Sequence, residues 1–575
     1  MMEAKKKIND WCEALSEKVK LAGIPGGTTE KITALAEDAR ERQLVVPVVG
    51  EFSAGKSSMI NSLLGENVLT EDIRPETALA TELHYSPNAF IEAVKSDGKI
   101  DKYKIEDIDK VKEKAEAEEY QYARVYLNNS RLREIEPLVL VDMPGFSSPP
   151  KQHNKAIAAY LDRGCYYIVL SSSTEEGAIS DSLKRRLKEI EGWGREFTFF
   201  LSKANLRHKD DIDELITYYQ KQLEDGFESP AKVTPLENNS GDKVLQCLKN
   251  ININRVFGSI YRGTLLDVCD DIITAINLQV NASRKDAAKN MEAIREMKES
   301  KEKLRKKAAA EQEEMKRRYS GAFLTDVLAD VGRALDNSID ELTGLAASGN
   351  QGGIERTLND IVRSALTVSL KDKMEGLTNE ISVDLSESLR GLDKVMKDLD
   401  LNTNFMQDMA GKVGNALQGE LLSKLPGGKD ALNMGFKALA GAGLAATVIN
   451  PIIGIIIVFL PDLISAFMKL FGGDSKDSQR EKIRSELTGR VFPEIKRNLR
   501  AEISKNLDAQ LDAIIKGVGE KLDEQIKQQE EIIEAQVAEK NESKEAIEAK
   551  QKQLEAIRDD VKRIRSEILD GGNDA

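Results

Sequence analysis

Cysteine is scarce and scattered: Cys12, Cys165, Cys247 and Cys269 stand far apart with no paired spacing. That argues against a disulfide framework or a thiolate metal site and fits reduced thiols in a cytoplasmic protein. Aromatic residues make up only 5% of a chain in which 31% of residues are charged. Such a composition suits long solvated helices better than a compact enzyme of many sheets. Positive charge is not in excess, since the formal net charge is −14. Nucleic acid is therefore not expected as the main partner, because its phosphates need a cationic face. An apolar leader is missing from Met1-Met2-Glu3-Ala4-Lys5-Lys6-Lys7-Ile8, so no signal peptide is expected. At 575 residues the chain is too long for one core, and two or more folding units are expected.

What the sequence does have is Gly50-Glu51-Phe52-Ser53-Ala54-Gly55-Lys56-Ser57-Ser58, the spacing of a phosphate-binding loop. Leu44-Val45-Val46-Pro47-Val48-Val49 before it reads as a buried strand, and Met59-Ile60-Asn61-Ser62-Leu63-Leu64 after it as a helix. Gly50 and Gly55 let the backbone curl so that successive N–H groups face phosphate oxygens, and the helix N-terminus adds its partial positive charge. Lys56 is placed to reach the β- and γ-phosphates and Ser57 to bind the Mg²⁺ that bridges them. Pro47 is at odds with the strand, because proline removes a ladder hydrogen bond.

From Leu44 to about Leu248, short apolar runs alternate with helical stretches: Leu138-Val139-Leu140-Val141, Tyr166-Tyr167-Ile168-Val169-Leu170 and Phe197-Thr198-Phe199-Phe200-Leu201. This alternation predicts an α/β domain with a mostly parallel sheet and helices on both faces. Within it, Val141-Asp142-Met143-Pro144-Gly145 follows a strand, where Asp142 can hold Mg²⁺ through a water and the Gly145 amide can sense a γ-phosphate. Thr77, in Arg74-Pro75-Glu76-Thr77-Ala78-Leu79-Ala80-Thr81, offers a hydroxyl to the metal, the alternative being an ordinary loop threonine. Lys203 and Asn205, in Leu201-Ser202-Lys203-Ala204-Asn205, sit at a strand end where a base-recognition motif would lie.

Together these four stretches resemble the dynamin superfamily of large GTPases, and within it the bacterial dynamin-like proteins, with the LeoA branch as one candidate. The resemblance is motif-level over roughly 44–250 and architectural over the rest. It implies GTP and Mg²⁺ as ligands, with Gly50, Glu51, Phe52, Ser53, Ala54, Gly55, Lys56, Ser57, Ser58, Asp142, Gly145, Lys203 and Asn205 binding nucleotide. Ser57, Thr77 and Asp142 would hold the metal, the last through water, and Lys56, Thr77 and Ser53 would serve catalysis, Ser53 by helping to hold a charge-compensating cation. Two residues depart from the family pattern. Phe52 stands where eukaryotic dynamins carry the glutamine that positions the attacking water; His153 is a candidate substitute, a surface or capping histidine the simpler reading. Asn205 stands where the guanine-specificity motif usually has Asp, and an amide offers one acceptor oxygen where a carboxylate accepts from both N1–H and the N2 amine. One lost contact costs on the order of 1–3 kcal/mol of discrimination, which leaves ATP open as a substrate. Asn239-Ser240-Gly241 is the candidate for the last base-contacting loop.

Outside the α/β domain the pattern is helical. Proline and glycines at 23–27 divide two N-terminal helices, and 343–353 forms the clearest break in the helical region that begins near Ile251. The run from Asp286 to Tyr319 is dense in Lys, Glu and Arg, as a solvated helix face is. From Ala438 to Pro461 there is no charged side chain, long enough for a membrane span, but Asn450-Pro451 divides it. Two short apolar segments fit a hairpin that dips into one leaflet, its lipid-facing residues Leu444, Val448, Ile449, Ile452, Ile453, Ile455, Ile456, Ile457, Phe459 and Leu460. Lys424, Lys429, Lys437 and Lys469 flank it and can meet anionic headgroups; a buried helix pair in a bundle is the alternative. Ile526, Ile533, Ile547, Leu554, Val561 and Ile568 share one heptad register broken by Lys540, with Ile557 and Ile564 at the second seam position, which predicts a helix packed along a partner helix.

The expected architecture is an α/β P-loop GTPase domain plus a long all-α neck and trunk bundle with an apolar tip. Its expected divisions are N-terminal neck helices at 1–43, the GTPase domain at 44–250, first trunk legs at 251–430, the membrane-binding tip at 431–472 and return helices at 473–575. Membrane remodelling through nucleotide-dependent self-association is the leading functional expectation. The expected partners are a lipid membrane and either a homodimer through GTPase domains or a related dynamin-like chain, with peripheral membrane association from the cytoplasm. A nucleotide-binding switch or scaffold with little hydrolysis is the alternative.

Overall fold

The computed structural model describes residues 2–386 apart from 26, 52, 70–78, 96–98, 109, 112–119, 145–159, 161–162, 175–177, 193–194, 228–229, 285–286 and 311. It also describes 463–465, 467 and 476–570 apart from 539–543. Two helices come first, α1 (Met2–Leu21) and α2 (Thr28–Glu41). Gly23 ends α1 in the left-handed region (φ 59°), with Ile24 N–H donating to Val19 O and Gly23 N–H to Lys20 O, both at 3.1 Å. That is the glycine stop the sequence signals.

The α/β domain follows. It comprises β1 (Leu44–Gly50), α3 (Lys56–Leu64), β2 (Ala80–Tyr85), β3 (Phe90–Lys95), β4 (Ile100–Tyr103), β5 (Tyr120–Leu127), α4 (Ser130–Ile135), β6 (Leu138–Asp142), β7 (Tyr166–Ser172), α5 (Asp181–Gly192), β8 (Glu196–Ser202), α6 (Lys209–Gly226), β9 (Val233–Pro235) and α7 (Gly241–Lys249). The sheet order is β4-β3-β5-β2-β6-β1-β7-β8-β9. The half from β6 to β9 is parallel, while β2–β6, β3–β5 and β3–β4 pair antiparallel. Every residue of β1 is buried. Leu44, Val46 and Val48 join the core under α3 and α7, and Val45 and Val49 join the core under α5 and α6. A strand covered on both faces reads as a continuous apolar run.

Pro47 fits because of where the ladder runs. Leu44 N–H points toward β6, donating to Pro137 O at 2.8 Å, so by alternation the nitrogen of Pro47 faces β7. Pairing with β7 begins only at Val48, after an isolated bridge at Val45, so the missing N–H falls in that gap.

The remaining described elements are helical: α8 (Ile253–Arg284), α9 (Ala287–Ala310), α10 (Gln312–Asn337), α11 (Ile339–Ala347), α12 (Gln351–Ser386), α13 (Lys476–Glu486), α14 (Phe492–Ala538) and α15 (Lys544–Asp570). The expected break at 343–353 is shorter than its glycines suggest, because α11 runs through Gly344 to Ala347 and α12 begins at Gln351. A π-helical turn (Leu487–Val491) joins α13 to α14 just before Pro493, which has no N–H for the Gly489 carbonyl. The heptad register is divided between two helices. Ile526 and Ile533 of α14 pack in the core of the helical part, Leu554, Val561 and Ile568 of α15 pack in the core shared with the α/β domain, and Lys540 lies outside the described residues.

Helices α1, α8 and α15 pack together, tied by Lys18–Asp560 at 2.7 Å and Arg565–Asp270 at 2.8 Å. Their apolar faces continue the core beneath α3. Helices α9 and α10 run antiparallel to α14, through Lys298–Glu530 at 3.0 Å, Arg305–Asp523 at 2.8 Å and Lys316–Asp512 at 2.9 Å. The first half of α12 packs on α5 of the α/β domain. Ile464 and Phe467, inside the 431–472 stretch, are buried in the trunk core. Among the described residues no helix is long and apolar enough to cross a membrane.

The α5–α12 contact is charged. Arg363 of α12 donates to Glu189 of α5 at 3.3 Å and pairs with Asp360 at 3.1 Å, while Arg186 pairs with the same Glu189. All three residues Arg186, Glu189 and Arg363 are buried. Burial, then the Arg363 charge, lowers Arg186 to about 10 against the pull of Glu189. Nearer solvent, Arg185 reaches Glu341 at 3.1 Å and Ser182 donates to Asp360 at 3.2 Å. Glu189→Leu leaves two buried guanidiniums without the carboxylate they share, an expected loss of about 3–5 kcal/mol. Urea denaturation of the full chain measures it, and a loss under about 1 kcal/mol would show that Glu189 does not bind α12 to α5.

Candidate functional site

The site begins where β1 ends, in the middle of the sheet. A Cβ on Gly50 would lie 2.4 Å from the Leu170 carbonyl oxygen, so only glycine lets β1 and β7 pair there. Ser53 (φ 57°) and Gly55 (φ 83°) take left-handed conformations and turn the chain into α3. Strand ends staple the loop down. Ser202 Oγ donates to Ala54 O at 2.7 Å and lies 3.1 Å from Ser171 O, and Ser171 Oγ donates to Glu51 Oε2 at 3.3 Å.

Lys56 lies inside the loop, its Nζ donating to the carbonyls of Gly50 and Glu51, each at 3.2 Å. Burial lowers its pKa, opposed by the carboxylates of Asp142 and Glu51. A buried ammonium held only by backbone carbonyls and remote carboxylates is suited to an anion arriving at the loop. Ser57 Oγ donates to Asp142 Oδ2 at 3.0 Å, and Asp142, the last residue of β6, is buried. A hydroxyl and a carboxylate thus converge beside the cradle, the donor set that Mg²⁺ takes.

The base side is built from β8 and β9. Lys203 (φ 57°) ends β8, and its carbonyl accepts from Ser173 Oγ at 2.8 Å. Asn205 follows on a single 3₁₀ turn and is exposed. A cleft of about 800 Å³ opens here, with Gly55 and Ser58 on one wall and Lys203 and 237–240 on the other. Gly241 and Asp242, which begin α7, also line it, and a Cβ on Gly241 would lie 2.0 Å from Ser62 O.

Gly50, Glu51, Ser53, Ala54, Gly55, Lys56, Ser57, Ser58 and Asp142 therefore come together, as do Lys203 and Asn239-Ser240-Gly241 around the cleft. Phe52, Thr77, Gly145, His153 and the apolar residues from Leu444 to Leu460 lie outside the described residues. Sequence reasoning missed the anchoring roles of Ser171, Ser173 and Ser202, although a polar run closing a buried strand is a visible signal.

Residues 46–202 match the model of the dynamin family. A bacterial dynamin-like protein of Nostoc punctiforme is 26% identical over 205 residues, covering 32% of this chain and 29% of that protein. An uncharacterised protein of the xynA 3′ region of Caldicellulosiruptor is 23% identical over 210 residues, 34% of this chain and 50% of that one. The matched part thus spans half or less of either relative. Among solved structures, a member of an oligomerised bacterial dynamin pair aligns over 100% of this chain and 82% of its own at 14% identity, with a TM-score of 0.40. The LeoA bacterial dynamin GTPase from ETEC aligns over 98% of each chain at 13% identity, with a TM-score of 0.31.

The α/β domain holds a second polar cluster that the sequence did not announce. Glu82 of β2 is buried, one position from Thr81, which pairs with Asp142 in the β2–β6 register. It accepts from Tyr160 Oη at 2.7 Å, pairs with Arg163, lies 3.4 Å from Arg124 Nε and meets His84 Nε2 at 2.9 Å. Arg163 sits between the rings of Tyr122 and Tyr160, at 4.7 and 4.6 Å from their centroids. Burial pushes the Glu82 carboxyl up, but Arg163, His84 and Arg124 together outweigh it and hold the group well below the usual carboxylate range. A depressed carboxyl adds stability above its unfolded pKa, near 4.5, and loses it as pH falls through the folded value. Stability of the wild type is expected to decline as pH drops below about 4.5, and Glu82→Gln to be less stable at pH 7 with a flatter acid limb. Denaturation midpoints from pH 7 to pH 3 measure this, and parallel curves for the two proteins would refute it.

Proposed function

We propose that the chain binds GTP with Mg²⁺, hydrolyses it, and uses the nucleotide cycle to remodel membranes. The observation that carries this reading is the loop itself: buried Lys56 within a glycine-turned cradle, beside the Ser57–Asp142 pair at 3.0 Å. Phosphoryl transfer asks little covalent chemistry of a protein and depends on positioning and charge stabilisation. The loop N–H groups and the α3 N-terminus orient the phosphates, and Lys56 meets the charge that builds on them. Ser57, Asp142 through water, and Thr77 are the residues to hold Mg²⁺, which when bound neutralises phosphate charge. Ser53 helps to hold a compensating cation.

Phe52 cannot orient the attacking water, so slow turnover follows from the sequence, and a nucleotide-binding switch that needs a related partner chain is the second reading. The uncharged stretch 438–461 with its flanking lysines supports lipid contact, each lysine adding about 1 kcal/mol near an anionic surface. Burial of Ile464 and Phe467 in the trunk would anchor the chain where it leaves that stretch. Self-association through GTPase domains and peripheral membrane attachment in the cytoplasm complete the proposal.

Phosphate release from GTP and ATP, with and without anionic liposomes, tests it. GTP turnover stimulated by liposomes is expected, with Lys56→Ala reducing it by about 10²–10³-fold. No turnover above Lys56→Ala under any condition would overturn the hydrolase reading in favour of the switch. The double substitution Ile455→Asp, Ile456→Asp is expected to abolish liposome flotation while GTP turnover without lipid remains. Unchanged flotation would remove 438–461 from the lipid contact.

A further inference from the structure

We propose that Glu237 supplies the carboxylate that reads the guanine base, making good the acceptor that Asn205 lacks. The inference rests on the reading of the site as a guanine-nucleotide site and assigns its specificity. Guanine presents two donors on one edge, N1–H and the N2 amine, and adenine presents neither there. Asn205 offers one acceptor oxygen and, beside it, an amine that donates.

Position brings Glu237 to the same place. Ala204 N–H donates to Leu236 O at 3.0 Å, and Leu236 N–H donates to Leu201 O at 2.8 Å. Asn205 and Glu237 each follow one partner of that Ala204–Leu236 bond, so they leave the two strand ends side by side. The backbone at Glu237 is fixed as well, since its N–H donates to Ser240 Oγ at 2.9 Å while the same hydroxyl donates to Glu237 O at 2.6 Å.

Three carboxylates line the cleft: Glu66, Glu237 and Asp242. Glu66 accepts from Asn129 Nδ2 at 2.7 Å, and Asp242 pairs with Arg131 at 2.7 Å. Among the described residues the Glu237 carboxylate takes part in no hydrogen bond or ion pair, and its side chain is exposed. It accepts the N2 amine of guanine, leaving the Asn205 oxygen for N1–H. Against adenine the same carboxylate would be covered with no donor to satisfy it, which adds rejection to recognition.

Competition against a fluorescent GDP, on the full chain with Mg²⁺, tests the assignment with GDP, IDP (which lacks the N2 amine) and ADP. For the wild type, GDP is expected to bind about 10-fold or more tighter than IDP, the fold-change of one hydrogen bond to a charged group. In Glu237→Gln the GDP-to-IDP ratio is expected to fall to about 2-fold or less, with an unchanged melting temperature, whereas Asn205→Ala keeps most of the ratio. An unchanged ratio in Glu237→Gln, or a ratio lost in Asn205→Ala alone, would overturn the role of Glu237 and leave the guanine-nucleotide reading standing. Equal binding of GDP and ADP by the wild type, or no binding of either, would instead overturn that reading and the inference with it.

Discussion

Gly50 has no room for a side chain, and the geometry of the nucleotide domain depends on that. With the Leu170 carbonyl 2.4 Å from where a Cβ would stand, β1 and β7 stay paired to the last residue of β1. The loop therefore leaves the sheet at its centre, between two buried faces, and the ends of β7 and β8 are close enough to hold it through Ser171 and Ser202. Rigidity there has a cost. Lys56 is desolvated and its charge disfavoured, so the empty loop is less stable than the same loop around an anion.

The helical part meets this domain in two chemically different ways. On the neck side Phe257, Ile260, Leu265 and Val268 of α8 extend the domain's own apolar core. Nothing is gained by opening such a contact, because every exposed apolar group would have to be hydrated. On the trunk side the contact between α5 and α12 centres on Arg186, Glu189, Asp360 and Arg363. Buried ions recover much of their hydration when separated, so a charged interface of this kind opens at lower cost than an apolar one of equal area. Helix α5 also follows β7, whose last serines hold the loop and the Lys203 turn. The loop and the charged contact are thus joined through β7 and the helix that follows it.

Strand and helix placement in the parallel half of the sheet was legible because each strand there is buried on both faces and written as an unbroken apolar run, as at Leu138-Val139-Leu140-Val141. Strands β2 to β5 were not, since polar residues such as Glu82, Glu92 and Arg124 interrupt them, and those polar groups are satisfied only by partners distant in sequence. The loop residues came with a motif whose spacing carries its own geometry. The anchoring serines did not, because a serine's partner is set by which strands adjoin, and β7 and β8 become neighbours of β1 only in the assembled sheet. The heptad pattern was legible as a buried helix face, but not as to which core each part joins. The register is broken at Lys540, and its two halves pack in different cores. Periodicity reports that a face is buried and is silent on what buries it.

An acidic chain and an anionic lipid surface look ill-matched, with a net charge of −14 on one side. Screening removes the difficulty. At physiological salt, charges more than about 8 Å apart in solvent scarcely interact, so what a lipid surface would meet is the local charge. Around 438–461 that local charge is Lys424, Lys429, Lys437 and Lys469 against Asp430 and Asp462, still positive, with no charged side chain inside the stretch. The acidic excess lies elsewhere and much of it is already paired, as Glu530 with Lys298 and Asp523 with Arg305 along α14. Of the two forces available to a peripheral contact, apolar burial and headgroup attraction, neither is opposed by the net charge of the whole chain.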